Sequence, residues 1–370
     1  MPVGSINVTL MNLIINLLFK LFIESGATLD KLVVYFPDYL ILKPEIFSSL
    51  GQNEQFFSRL QYLSMSEVAF SSIQSATTLL RTLAKNATKI RALKLEEFGS
   101  VYYHYEPQLF HALFHAIIQI IKSQEQLRLF SLIGVNYLSE FYGIISALES
   151  QKNSLQEVII DNCDSTIEFE ILKFCNNLET LRIKYCDMKL LKILSYKINT
   201  LEVVGVQSDG STIAQILEMS GILLKRLKLD TRISVREESS ILEALQSFCP
   251  NITYLDISRI GFSAHLLELI GNLRKLQFLT LWCIIDIPEE ELKMRVMQFA
   301  EILPLTLQYL NLCYNTWINP YMDILLNHCN APLKRLLTNH LNNEKTVKAL
   351  IEFCIRNGTL NYVGVVSYWV

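Results

Sequence analysis

Cysteine, proline and glycine are all scarce in this chain of 370 residues, at 8, 9 and 13. So few cysteines over such a length exclude a disulfide scaffold, which packs its bridges into short secreted domains. Few prolines and glycines exclude collagen-like and linker sequence and argue against loop-rich sandwiches. Charge is short as well: Asp, Glu, Lys and Arg make up 19%, against about 25% in an average soluble protein. The 33 basic residues nearly balance 36 acidic ones, for a net charge of -3. Without a basic excess there is no general surface for DNA or RNA phosphates, and no nucleic-acid partner is expected. A long hydrophobic run is also missing. The most apolar stretch, Leu10 to Ile23, holds about 14 residues and is broken by Asn12, Asn16 and Lys20, short of the roughly 20 needed to cross a bilayer. No positive charge precedes it, so it does not read as a signal peptide. The sequons at Asn7, Asn86, Asn251 and Asn357 carry no weight without one. The expectation is a cytoplasmic or nuclear protein with no membrane partner.

What is abundant is apolar side chain: 51% of residues are hydrophobic and the mean hydropathy is +0.27. Such a chain buries a large core and is not disordered. Length alone suggests two or three domains, a prior that fails for a repeat array. A repeat is present. Leu, two residues, an apolar residue, one residue and a second apolar residue recur from Leu29, Leu60, Ile90, Leu127, Leu155, Leu178, Ile198, Leu224, Ile252, Leu276, Leu307, Leu333 and Leu360. The starts lie mostly some 20 to 31 residues apart, the period of leucine-rich repeats.

Each unit explains itself physically. The alternating tail of the motif predicts a short strand with one buried face. Helical spacing follows in Ile213, Ile216 and Leu217, in Ile241, Leu242 and Leu245, in Leu266, Leu267 and Ile270, and in Val347, Leu350, Ile351 and Cys354. Ser211, Ser239, Ser263 and Asn319, the last followed by Pro320, are expected helix caps. Leu10 to Ile23 is expected to be the buried helix of an opening repeat, because IESGATLDKLVV matches LEMSGILLKRLKL in layout. Strands stack about 4.8 Å apart whereas helices need about 10 Å, so the array must bend with its strands inside. The predicted fold is therefore α/β: one leucine-rich-repeat solenoid of about 13 repeats over residues 1–370, a ribonuclease-inhibitor-like horseshoe with parallel strands on its concave face and helices on its convex face.

Around Cys175 the unit reads CNNLETLRIKYC, and Cys249 opens another copy as CPNITYLDI. This resembles the cysteine-containing leucine-rich repeat of F-box receptors. The phrases NEQFFSRLQYLS, LLRTLAKNATKIRALK, IISALESQKNSLQEV and LEALQSFCPNITYLDIS are similar to F-box/leucine-rich-repeat-like proteins of the large expanded family in arbuscular mycorrhizal fungi. The resemblance implies target recognition for SCF ubiquitin ligases. In that family an N-terminal F-box docks a Skp-type adaptor, and MPVGSINVTLMNL has neither its L-P-x-E start nor its Cys-x-x-Trp helix. A Skp-type adaptor is expected to bind only if an F-box lies upstream, and a decoy without a ligase stays open. The alternative is a stand-alone regulator that blocks an enzyme in its concave face, as ribonuclease inhibitor does.

No motif for catalysis or cofactor binding is found: no G-x-G-x-x-G, Walker loop, H-E-x-x-H or G-x-S-x-G. The expectation is a non-enzymatic protein without cofactor, metal or catalytic residue. His111 and His115 have the spacing of a zinc pair but no acidic or cysteine neighbour in sequence, and read as a helix flank. Cys163, Cys175 and Cys186 fall at repeat spacing and read as buried thiols. Glu289, Glu290 and Glu291 read as a solvated helix start. What remains is a surface. Residues between the buried strand positions point to the concave side: Tyr254, Asp256 and Ser258, then Phe278, Thr280 and Trp282, then Tyr309, Asn311 and Cys313, then Arg335, with Arg182 and Lys184 on a more charged upstream rung. Tyr254, Phe278 and Tyr309 are expected to stack as an aromatic column. Either these residues merely cover a sheet, or they bind a target protein as a monomer.

Overall fold

The computed structural model describes residues 8–37, 44–50, 55–98, 107–138, 143–164, 167–187, 190–191, 197–207, 210–232, 235–341 and 343–366. Of the segment MPVGSINVTLMNL read for an F-box motif, the first seven residues lie outside this set. The chain divides into two compact units, Met1–Ser195 and Tyr196–Val370.

The first unit carries β1 (Lys31–Tyr35), β2 (Tyr62–Ser66), β3 (Ala92–Phe98), β4 (Leu129–Leu138), β5 (Glu157–Cys163) and β6 (Thr180–Lys184). The second carries β7 (Thr200–Gln207), β8 (Arg226–Arg232), β9 (Tyr254–Gly261), β10 (Phe278–Ile284), β11 (Tyr309–Asn311), β12 (Arg335–Thr338) and β13 (Tyr362–Val365). Within each unit every strand pairs in parallel with the next, in chain order. Each of the motif starts read from the sequence is followed two residues later by a strand. The apolar positions of the motif are the core: Leu178, Leu181 and Ile183 are buried, as are Ile252, Leu255 and Ile257.

Returns between strands are helical: α1 (Val8–Glu24), α2 (Pro44–Leu50), α3 (Ile73–Asn86) and α4 (Pro107–Lys122) in the first unit. Shorter repeats replace the helix by 3-10 turns at Ser146–Gln151 and Ile167–Phe174. The second unit has α5 (Gly210–Ser220), α6 (Val235–Phe248), α7 (Ala264–Asn272), α8 (Glu289–Ile302), α9 (Met322–His328) and α10 (Glu344–Asn357). Ile213, Ile216 and Leu217, Ile241, Leu242 and Leu245, and Leu266, Leu267 and Ile270 are buried as their spacing predicts. Ser263 caps α7, its Oγ accepting from the Leu266 N–H at 3.2 Å. The other expected caps fall elsewhere. Ser211 and Ser239 lie inside α5 and α6, which begin earlier, and Asn319 and Pro320 lie inside a 3-10 turn that precedes α9.

The two outermost helices depart from expectation in the same way. α1 was expected to be buried, yet Leu10, Leu13, Ile14, Leu17, Leu18 and Leu21 are 45–58% exposed. On α10 the buried side chains are Thr346, Ala349 and Phe353, while Val347, Ile351 and Cys354 face outward. An inner helix is covered on both flanks by its neighbours. Among the described residues the main helix neighbour of α1 is α2 and that of α10 is α9, and the outward apolar side chains of both helices are exposed.

Buried side-chain amides tie consecutive turns together. Gln124 accepts from the Ile90 N–H at 2.8 Å and donates to the Ala87 carbonyl at 2.9 Å. Gln151 repeats the arrangement one turn later, accepting from the Leu127 N–H at 3.0 Å and donating to the Gln124 carbonyl at 2.8 Å. Cys175, Cys249 and Cys329 hold comparable places before later strands, and all three are buried. A second recurring feature is a corner just past the strand core. Glu67, Glu97, Asn162, Tyr185, Gly205 and Arg259 all have positive φ, and each is the seventh residue after its motif start.

Two stability measurements check this architecture. Leu181→Ala is expected to cost about 2–5 kcal/mol in urea unfolding, as for a leucine in a packed core; a loss under about 1 kcal/mol contradicts its place there. Gln124→Leu keeps the volume but strands the Ile90 N–H and Ala87 carbonyl, at about 2–4 kcal/mol. An unchanged midpoint would show that these groups are satisfied without the amide.

Candidate functional site

Strand alternation sorts β8 to β13 into two faces. Leu227, Leu229, Leu255, Ile257, Leu279, Leu281, Leu310 and Leu336 are buried toward the helices. The residues between them line the opposite face of the sheet in three rows.

The first row runs across six strands at matching register: Arg226, Tyr254, Phe278, Tyr309, Arg335 and Tyr362. The Arg226 guanidinium lies 4.2 Å from the Tyr254 ring centroid. Tyr254 and Phe278 rings are 6.2 Å apart, and Phe278 and Tyr309 rings 5.9 Å. The Arg335 guanidinium lies 5.9 Å over the Tyr362 ring. Parallel in-register strands place like positions one strand spacing apart, so rings on consecutive strands meet in tilted stacks. The expected column of Tyr254, Phe278 and Tyr309 is formed, and arginines extend it at both ends.

The second row is Lys228, Asp256, Thr280 and Asn311. Although they are on the open face, Asp256 is only 6% exposed and Thr280 9%. Asp256 Oδ2 lies 3.3 Å from Lys228 Nζ. Burial pushes the Asp256 carboxyl above its usual range, and the Lys228 ammonium offsets only part of that. For Lys228, burial acts to lower the pKa, but the Asp256 charge and hydrogen bond prevail and raise it.

The third row holds Asp230, Ser258 and Trp282. Here β9 bulges: Trp282 pairs with Ser258 and Cys283 with Ile260, leaving Arg259 as the extra residue at φ 62°. The bulge swings Arg259 onto this face. Its Nε sits 3.4 Å from Asp230 Oδ1, and its guanidinium lies 5.1 Å from the Trp282 ring. Tyr314 stacks on the other end of Trp282 at 5.5 Å. Periodicity alone does not reveal Arg259 or Tyr314, since both lie past the regular part of their strands. Tyr362 is legible in the sequence as the strand start of the last repeat.

Other expected site residues are placed differently. Arg182 and Lys184 lie on β6 of the first unit, where Arg182 Nε donates to Glu157 Oε1 at 3.0 Å. Cys313, expected on the open face, is buried, because β11 ends at Asn311 and the chain turns inward. The Asn311 side-chain oxygen accepts from the Cys313 N–H at 3.0 Å. His111 and His115 are exposed on α4, and among the described residues no group of three or more His, Cys, Asp or Glu is placed to hold a metal. Cys163, Cys175 and Cys186 are buried. Burial pushes the Cys175 and Cys186 thiols up to about 11 and the Cys163 thiol further, which leaves them protonated and unreactive at neutral pH. No helix among the described residues is long and apolar enough to cross a membrane.

Asp256 supplies a test with a definite sign. Its folded pKa is raised, so its ionisation disfavours the fold, and stability is lost as pH rises from the unfolded carboxyl range through the raised folded value. Asp256→Asn removes that loss. The variant is expected to gain stability relative to the wild type between about pH 3 and pH 7, measured as the difference in urea midpoints at the two pH values. A relative gain on acidification instead would mean that the Lys228 pair outweighs burial.

No protein-family profile matches the chain. Over 99 residues it is 28% identical to the DNA repair protein rhp7 of Schizosaccharomyces pombe; the aligned segment is 25% of this chain and 18% of that protein's length. Among solved structures, the Rad7 and Elc1 complex in yeast gives a TM-score of 0.48 at 14% identity, covering 95% of this chain and 88% of the other. An internalin from Listeria monocytogenes gives 0.43 at 14% identity, covering 94% and 88%. A leucine-rich-repeat protein of Leptospira interrogans gives 0.42 at 14% identity, covering 94% and 81%. Repeat motif, in-order parallel strands and helical returns make this an α/β fold of the leucine-rich-repeat kind.

Proposed function

We propose that the chain is a non-enzymatic protein-interaction array, and that the open strand face of Tyr196–Val370 binds a target protein. The observation that carries this reading is the register row from Arg226 to Tyr362, with Trp282, Arg259 and Tyr314 beside it. Tyr, Trp and Arg are the side chains that anchor protein interfaces, because each combines large contact area with a polar edge. Apart from Tyr314 they are held on strands rather than loops, and their stacking on one another limits the side-chain entropy lost on binding. The resemblance to F-box/leucine-rich-repeat receptors extends the proposal to recognition of targets for ubiquitin-dependent degradation, with a Skp-type adaptor engaged only through an F-box carried elsewhere.

The test uses the full chain as bait in the wild-type form and with Trp282→Ala or Phe278→Asp. The captured target is then purified and its affinity measured for each form. Trp282→Ala is expected to weaken binding by about 2 kcal/mol or more, with the thermal midpoint little changed. Equal affinity for all three forms removes this face from the interface.

A further inference from the structure

The row also specifies the chemistry of what it binds, given the reading of this face as an interaction surface. The carboxylates near it are engaged: Asp256 with Lys228, and Asp230 with Arg259. Arg226 and Arg335 differ. Both are exposed, and among the described residues neither forms an ion pair with a carboxylate. Each lies over a tyrosine ring instead. A guanidinium stacked on an aromatic face keeps its N–H edge free for bidentate pairing with a planar anion. Between the two arginines lie three strands bearing Tyr254, Phe278 and Tyr309. The row is thus apolar in the middle and cationic at two defined points.

Their separation can be counted in strands. Arg226 is on β8 and Arg335 on β12, four strand steps apart, or about 19 Å at about 4.8 Å per step. An extended peptide lying across the strands advances about 3.3 Å per residue, so it covers that span in about six residues. Even spacing matters, because residues two apart project to the same side of an extended chain. Acidic side chains at the first and seventh positions would reach both arginines, while those at the third and fifth would sit over the rings.

We propose that the occupant of this row is an extended acidic peptide segment of the target, with two carboxylates six residues apart and apolar side chains at the same-side positions between them. A single-stranded nucleic acid also stacks on aromatic platforms. It would have to lay a continuous phosphate chain beside Asp230 and Asp256, which the discrete anions of a peptide avoid.

The probe is a fluorescein-labelled heptapeptide with glutamates first and seventh, leucines third and fifth, and serines between, titrated with the full chain by fluorescence anisotropy. It is expected to bind at least about tenfold tighter than versions with lysines for glutamates or with the glutamates moved to the second and sixth positions. Arg226→Gln and Arg335→Gln are each expected to weaken it by about tenfold. The doubly reversed Arg226→Glu, Arg335→Glu form is expected to prefer the lysine version. Failure of the parent peptide to bind at millimolar concentration would overturn the proposal, as would equal binding of the shifted peptide or tighter binding of a phosphoserine version or of oligothymidylate. The purified target separates the two levels. If Phe278→Asp abolishes its binding while both glutamine variants bind normally, the acidic segment is wrong and the face is right. If neither kind of variant matters, both are wrong.

Discussion

A parallel strand cannot satisfy its own backbone. Each N–H and C=O along β1 to β13 points sideways and must find its partner in the next turn of the chain. That obligation fixes the period, the register and the order of elements within each unit. It also explains the buried amides. Where the chain leaves a helix and enters a strand it has polar groups but no ladder to join, and Gln124 and Gln151 supply the missing donor and acceptor. Asn177, Asn251 and Asn357 do the same at the exposed edge, each donating to a carbonyl of the preceding turn. Two of the sequon asparagines are thus committed to holding turns together.

The candidate face follows from the same register. Because equivalent positions on neighbouring strands come within contact distance, side chains about 25 residues apart in sequence become a row. Stacking, ion pairing and a bulge then give the three rows different character: apolar with cationic ends, buried and internally neutralised, and hinged around Trp282. No single turn contains any of these surfaces; each belongs to the array.

The strands were legible because their buried positions follow a strict spacing that little else imitates. Helix starts were less so: Ser211 and Ser239 are good capping residues, but α5 and α6 begin earlier, at Gly210 and Val235. The faces of α1 and α10 are hidden from the sequence for a different reason. Periodicity identifies an apolar stripe without saying which neighbours are present to cover it, and α10 buries Phe353 while leaving Ile351 outside. On the candidate face, Tyr254, Phe278, Tyr309 and Arg335 were found by alternation. Arg259 was hidden because a bulge resets alternation, and a sequence carries no count of where that happens.

The corner residues with positive φ bear on how such a surface changes over generations. A non-glycine residue in that conformation costs about 1 kcal/mol, and Glu67, Glu97, Asn162, Tyr185 and Arg259 all stand there. Only at Arg259 do the described contacts include both a carboxylate and an indole ring. At that one corner the bent backbone brings a side chain onto the open face, where it meets both Asp230 and Trp282. New specificities could arise in the same way, by a single substitution at a corner already bent toward the open face, with the ladder beneath it left untouched.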